Sequence, residues 1–248
     1  MSDTFLKLAD MKKVIIVGAT SGIGRELARI YAGNGALVGV TGRRQHLLDS
    51  LQAEFPAHIR TAHFDVMGTE NISFLEKLVA ALEGLDLLIV SAGIGTISKT
   101  LDWEIDKTTI DTNVSGFTEM VNWAYNYFQQ HGGGQIANIS SIAAWRGNSW
   151  APAYSASKAY QSVYFEGLHM KSRKTNAGIV ITDIQPGFVD TKMAQGNGRF
   201  WVASVNKASR QIYQSIEAKK FRAYVTRRWR LIVWVMKWVP GFIFHKVG

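Results

Sequence analysis

The sequence predicts an α/β fold: a doubly wound, mostly parallel sheet of about seven strands with helices on both faces. Three observations carry that reading. Short β-branched runs such as 12–19 (KKVIIVGA) end in glycine and read as strands buried on both faces. These runs alternate with helical patterns at the spacing of βαβ units, whose right-handed crossovers place helices on both sides of one sheet. The 248 residues are 47% hydrophobic and 19% charged, enough apolar material for one large core.

In chain order, strand 12–19 runs into a glycine turn and a helical pattern. Strand 36–41, helix 45–54, strand 59–64 and helix 71–82 follow. Residues 85–90 (LDLLIV) form the fourth strand, 103–130 read mainly as helix, and 134–139 form the fifth strand. Pro152 suits a first helical turn and opens a helix around 154–174. Residues 179–184 are the sixth strand and 221–225 (FRAYV) add a last one, leaving 187–220 as a mostly helical insertion. No internal repeat, low-complexity segment or linker interrupts the chain, so a single domain over 1–248 is expected.

Composition excludes several functions. The absence of cysteine removes disulfides, thiolate catalysis and cysteine-ligated metals, and no metal site is expected. The first residues carry Asp3, Lys7 and Asp10 without the basic head and apolar run of a signal peptide, so a cytoplasmic protein is expected. The net charge of +9 invites a nucleic-acid reading, but Lys and Arg are spread along the chain and condense only near its end. With no recognised reading module, nucleic acid is not an expected partner.

Between the first strand and helix lies Gly18-Ala19-Thr20-Ser21-Gly22-Ile23-Gly24. Glycines there allow a tight turn and close approach of backbone to a pyrophosphate, and the helix start supplies free N–H groups and the positive end of its dipole. The Gly-x-x-x-Gly-x-Gly spacing differs from the common dinucleotide fingerprint. Together with Asp65-Val66, Ser91-Ala92-Gly93, Asn113, Ser141, Tyr154-x-x-x-Lys158, Pro186-Gly187 and Thr191, it resembles the short-chain dehydrogenase/reductase family over nearly the whole chain. One position departs: the family shows asparagine where Ser91 stands, which bears on a scaffold hydrogen bond more than on chemistry. The resemblance implies a Rossmann-type oxidoreductase that moves hydride between a nicotinamide cofactor and a carbonyl or secondary alcohol.

Cofactor choice is read at the end of the second strand, where a carboxylate would bind ribose hydroxyls and repel a 2′-phosphate. Gly42 fills that slot, and Arg43 and Arg44 follow. A guanidinium pairs bidentately with phosphate, so NADP(H) is favoured over NAD(H). The plainer alternative is that two arginines begin a solvated helix. The resemblance further implies that Asp65 binds the adenine edge, that Val66 packs beside the ring, and that Ala92, Gly93, Pro186 and Gly187 line the cofactor. It also places Thr191 and the Val189 backbone on the nicotinamide carboxamide.

Tyr154 and Lys158, four residues apart, share one helix face. A tyrosine pKa near 10 is too high for efficient proton transfer at neutral pH, and a nearby ammonium and an oxidised nicotinamide favour the phenolate. Tyr154 is therefore the expected acid/base. By resemblance, Lys158 also holds the nicotinamide ribose, Ser141 rather than Ser140 bonds the substrate oxygen, and Asn113 holds a water linking the lysine to solvent. Each taken alone has a bland reading as a helix-face aromatic, solvated charge, loop hydroxyl or helix polar residue. A protein that senses or scaffolds around NADP(H) with little turnover is the alternative function.

A substrate lid is expected at 192–209, where Lys192, Gly196, Gly198, Phe200 and Trp201 mix hinge glycines with apolar contacts. Trp145 and Trp150 either line the same cavity or pack in the core or against another subunit. The basic, aromatic tail at 227–248 contains Arg227-Arg228-Trp229-Arg230, the run LIVWV, Trp238, Phe242 and Phe244. Its apolar stretch, interrupted by Lys237 and Pro240, is short of the roughly 20 residues needed to span a bilayer. Two readings stay open: a subunit or core contact in a homodimer or homotetramer, or peripheral membrane contact that suits a hydrophobic substrate.

Overall fold

The computed structural model describes residues 11–98, 100–191, 193 and 200–240. One seven-stranded sheet has the order β3-β2-β1-β4-β5-β6-β7, with every pairing parallel. The strands are β1 (Lys13–Val17), β2 (Leu37–Gly42), β3 (Ile59–His63), β4 (Leu87–Val90), β5 (Gly134–Ile139), β6 (Ile179–Pro186) and β7 (Arg222–Val225). The helices are α1 (Gly22–Gly33), α2 (Gln45–Glu54), α3 (Asn71–Leu82), α4 (Trp103–Ile110), α5 (Phe117–Gln130), α6 (Pro152–Thr175), α7 (Val205–Glu217) and α8 (Trp229–Trp238).

β1 shows why the strands read as continuous apolar runs. Successive side chains point to opposite faces, and both faces are covered. Val14 and Ile16 pack with Leu27 and Tyr31 of α1, Leu48 and Leu51 of α2, and Ile212 and Ile216 of α7. Ile15 and Val17 pack with Leu75, Leu78 and Leu82 of α3, Phe117 and Phe128 of α5, and Phe165 of α6. Full burial of each such side chain stabilises the fold by about 1.5–3 kcal/mol, against which chain entropy is set.

The strand order reverses between β1 and β4, which opens a crevice at the carboxyl ends of the strands. The segments after β1 through β6 meet at that edge and carry the residues singled out in the sequence.

Two stretches differ from expectation. The helix expected over 103–130 is interrupted by a π turn at Asp111–Gly116. There Gly116 lies against the Val66 carbonyl so closely that a Cβ would stand 2.2 Å from its oxygen. In 187–220, the described residues form one helix, α7; ahead of it Val189 pairs with Ala203 in a parallel bridge. Residues 1–10 lie outside the described residues, as do Lys192, Gly196 and Gly198 of the expected lid and Phe242 and Phe244 of the tail.

Candidate active site

Gly18 takes φ +87°, and a Cβ there would lie 2.6 Å from the Ala92 backbone, so the turn after β1 can press against the segment after β4 only as glycine. Ser91, in the family's asparagine position, donates its N–H to Val17 O and extends that pairing. Ile23 packs on the core, Gly24 abuts the Gly18 carbonyl, and a Cβ on Gly22 would meet the Thr191 methyl at 3.3 Å. The loops after β1 and β6 thereby converge over the crevice. Ser21 leads into α1 without capping it with its side chain, leaving the first N–H groups of the helix facing outward. A glycine turn, uncapped helix start and positive dipole fit a pyrophosphate.

At the end of β2, Arg44 donates from Nη2 to Thr20 Oγ1 at 2.5 Å and Ser21 Oγ at 2.9 Å. Arg43 is more exposed and pairs with Asp65 across 3.5 Å, while Asp65 also accepts the Met67 N–H. A Cβ on Gly42 would lie 2.5 Å from Thr20 Cγ2, so the slot that would carry an aspartate has no room while Arg44 holds Thr20. The arrangement is a cationic pocket beside the glycine loop. Val66, next to it, accepts from Asn71 Nδ2.

Ser141 follows β5 and accepts the Ala143 N–H into its side chain, which starts a short 3₁₀ turn (Ile142–Trp145). Burial pushes Tyr154 above the ordinary tyrosine range, and the neighbouring Ser141 side chain works in the opposite direction. The lowering expected from Lys158 is not found in the protein groups alone. The ammonium lies over the Tyr154 ring, 5.9 Å from its centre, and donates to Ile139 O and Gln161 Oε1, each at 3.0 Å. Lys158 is 4% exposed, and burial brings it down to about 8, with buried Asp183 acting the other way. A Cβ on Gly93 would stand 3.3 Å from both Lys158 Nζ and Asn113 Oδ1, so small residues at Ala92 and Gly93 keep this corner open.

The Asn113 side chain is spent on scaffolding. It accepts the Ile94 N–H at 2.9 Å and donates to Ile94 O and Ser157 Oγ at 2.8 and 3.0 Å. Its backbone carbonyl, within the π turn, accepts from Gln161 Nε2 at 2.8 Å. Gln161 thus spans Lys158 and Asn113 directly, a residue missed from sequence although its position three after Lys158 puts it on the same helix face.

Ser140 is buried and donates to Asp183 Oδ1 at 2.6 Å, so it turns away from Tyr154. Asp183 also accepts from Gln185, whose Oε1 takes the Trp145 indole N–H at 2.7 Å. A charged residue inside the apolar strand IVITDIQP was the signal for this missed network. Trp145 belongs to it, whereas Trp150 is 57% exposed.

The tail is partly core. Trp229 is 1% exposed and seats its indole where a Cβ on Gly187 would lie 2.1 Å away. Phe188, Phe200 and Trp201 surround it with ring centres 5.0–5.9 Å distant. At the other end of α8, Arg146 donates to Met236 O and Val239 O, and Lys237 lies 4.2 Å from the Trp145 ring centre. Pro186 ends β6 against Val225, and Val189 is buried beside Thr191.

The family described as short chain dehydrogenase matches residues 12–200. An uncharacterized oxidoreductase of Myxococcus xanthus is 34% identical over 192 residues, 75% of each chain. In fold the chain is similar to a short-chain dehydrogenase from Sphingobium yanoikuyae solved in complex with NADPH (TM-score 0.78, 20% identity, 93% of this chain and 97% of that one). It is also similar to a 3-ketoacyl-(acyl-carrier-protein) reductase from Brucella melitensis complexed with NADH (TM-score 0.77, 19% identity, 87% and 98%). The motif order, the parallel sheet and a match over most of its length make this chain an oxidoreductase of the short-chain dehydrogenase family.

Proposed function

We propose that the protein is an NADP(H)-dependent carbonyl reductase, interconverting a ketone or aldehyde with its alcohol, in which Tyr154 is the acid/base. The observation that carries this reading is the buried Lys158 ammonium 5.9 Å from the Tyr154 ring centre, with Ser141 as a neighbour of Tyr154. Bound nicotinamide supplies the hydride for the carbonyl carbon. Tyr154 donates a proton to the carbonyl oxygen in reduction and takes it back in oxidation. Ser141 gives that oxygen a second hydrogen bond, so developing negative charge meets two fixed donors. Lys158 keeps a positive charge behind Tyr154, held by Gln161 and Ile139.

The preference for NADP(H) rests on Arg44, Arg43 and Gly42, since proteins of this fold carry either cofactor. The N–H groups at the start of α1 hold the pyrophosphate, and Thr191 with the Val189 backbone holds the carboxamide. The aromatic residues Phe188, Phe200 and Trp201 beside the crevice favour an apolar substrate. Self-association as a homodimer or homotetramer fits the outer face of α6, where Tyr160, Val163 and Met170 are exposed.

The test is a panel of ketones, aldehydes and acyl carbonyls, with NADPH and NADH consumption followed by absorbance. Preferential NADPH-driven reduction is expected. Stoichiometric NADPH binding with no turnover on any member would favour a sensor instead, and equal use of both cofactors would sink the NADP(H) assignment.

A further inference from the structure

α8 is apolar on two faces. Trp229 and Val233 turn inward, as described. Leu231, Trp234, Val235 and Trp238 turn outward, exposed by 66, 63, 47 and 74% at i, i+3, i+4 and i+7 spacing, which makes one stripe along the helix. Arg227 and Arg230 border it, and so do Arg228 and Lys237, whose cations lie over the Trp201 and Trp145 rings; all four residues are exposed. Among the described residues none of these four pairs with a carboxylate. Residues 218–248 contain eight Lys and Arg and no Asp or Glu, so this segment carries +8 of the chain's +9.

We propose that this face of α8 docks on an anionic lipid bilayer, with Trp234 and Trp238 at headgroup level and the flanking cations against lipid phosphates. Charge decides among occupants. A two-fold contact would bring the same patch from a second copy, opposing its four cations to four more. Length decides the mode: a helix of this size runs about 15 Å, half of the roughly 30 Å hydrocarbon core, so it lies in the interface. Among the described residues no helix is long and apolar enough to cross a membrane. The inner face of α8 rests on the segment after β6, and Arg146 joins its end to the turn beginning at Ser141. Docking therefore brings the wall of the candidate pocket to the bilayer, where an apolar carbonyl compound would be dissolved. The docking itself does not depend on turnover.

The test is flotation of the full chain with vesicles of phosphatidylcholine alone or mixed with phosphatidylglycerol. The protein is expected to float with the mixed vesicles, weakly or not at all with the neutral ones, and less as salt is raised. Arg227→Ser/Arg230→Ser should weaken partitioning about thirtyfold. Trp234→Ser/Trp238→Ser should abolish flotation, with wild-type melting and NADPH binding kept in both variants. If a double variant does not melt cooperatively, Trp238→Ser alone carries the comparison. Folded wild type that stays unbound, salt-independent binding to neutral vesicles, or variants that float like wild type would each overturn the proposal. So would a wild-type dimer dispersed by the tryptophan variant, since the face would then be a self-contact. Because the readout is vesicle binding, its failure leaves the reductase reading untouched.

Discussion

Lys158 and Gln161, one turn apart on α6, share a 3.0 Å hydrogen bond in the protein interior, and the Gln161 amide continues it to the Asn113 carbonyl at 2.8 Å. The ammonium is thus held by uncharged groups, with burial bringing its ionisation down to about 8.

The pH profile should show that ionisation. If the charge on Lys158 supports proton donation by Tyr154, kcat/KM for carbonyl reduction falls about tenfold per pH unit above the lysine's pKa. Lys158→Arg should move this limb upward, and Gln161→Leu, removing one acceptor from the ammonium, should move it downward. A purely structural Gln161 would leave the limb in place.

Stability should respond in the same window. The folded-state value of about 8 lies below the 10.5 of a free lysine, so between the two the unfolded chain binds more protons and stability rises with pH. The shift corresponds to a rise on the order of 3 kcal/mol across that window. Urea midpoints measured through it should show this rise in wild type and lose it in Lys158→Met.

Substitutions at the reacting end separate binding from chemistry. Tyr154→Phe is expected to lower kcat by about 10²–10⁴ with NADPH affinity little changed. Ser141→Ala, removing one donor to the developing charge, should cost about 10²–10³. Wild-type turnover in Tyr154→Phe would falsify its acid/base role.

Cofactor preference should follow the residues around Thr20. Arg44→Ser is expected to raise KM for NADPH about 10- to 100-fold, the range for a lost charge-assisted bond, with little change for NADH. Gly42→Asp combined with Arg44→Ser should reverse the preference, because releasing Thr20 makes room for the carboxylate. Steady-state kinetics with both cofactors measures each.

The seat of Trp229 offers a packing test. Gly187→Ala drives a methyl into the indole and should cost about 1–3 kcal/mol, whereas Trp229→Ala leaves a cavity and should cost about 3–5 kcal/mol. Denaturant midpoints distinguish the two.

The parts of the fold written in local pattern were legible. Helices 45–54 and 71–82 and strand 134–139 fall at the residues expected, because turn residues bound each periodic run. Glycine spacing and the Tyr154–Lys158 interval likewise announce their places. Contacts between distant segments were not legible. Nothing near Asn113 in sequence shows that its side chain will clamp Ile94, nothing near Arg44 points to Thr20, and the apolar run in the tail does not say that one side is core. The π turn was hidden because Asp111 to Gly116 runs on from one helical pattern into the next, and its close approach of Gly116 to Val66 is a contact between distant segments.

Arg146 stands five residues after Ser141 and closes the last carbonyls of α8, while Trp229 opens the same helix against Gly187. Helix α8 is therefore tied into the candidate site and not merely appended to the sheet. Cutting it away would unlatch the loop that aims Ser141, and whatever grips the last helix also has a handle on the reaction centre.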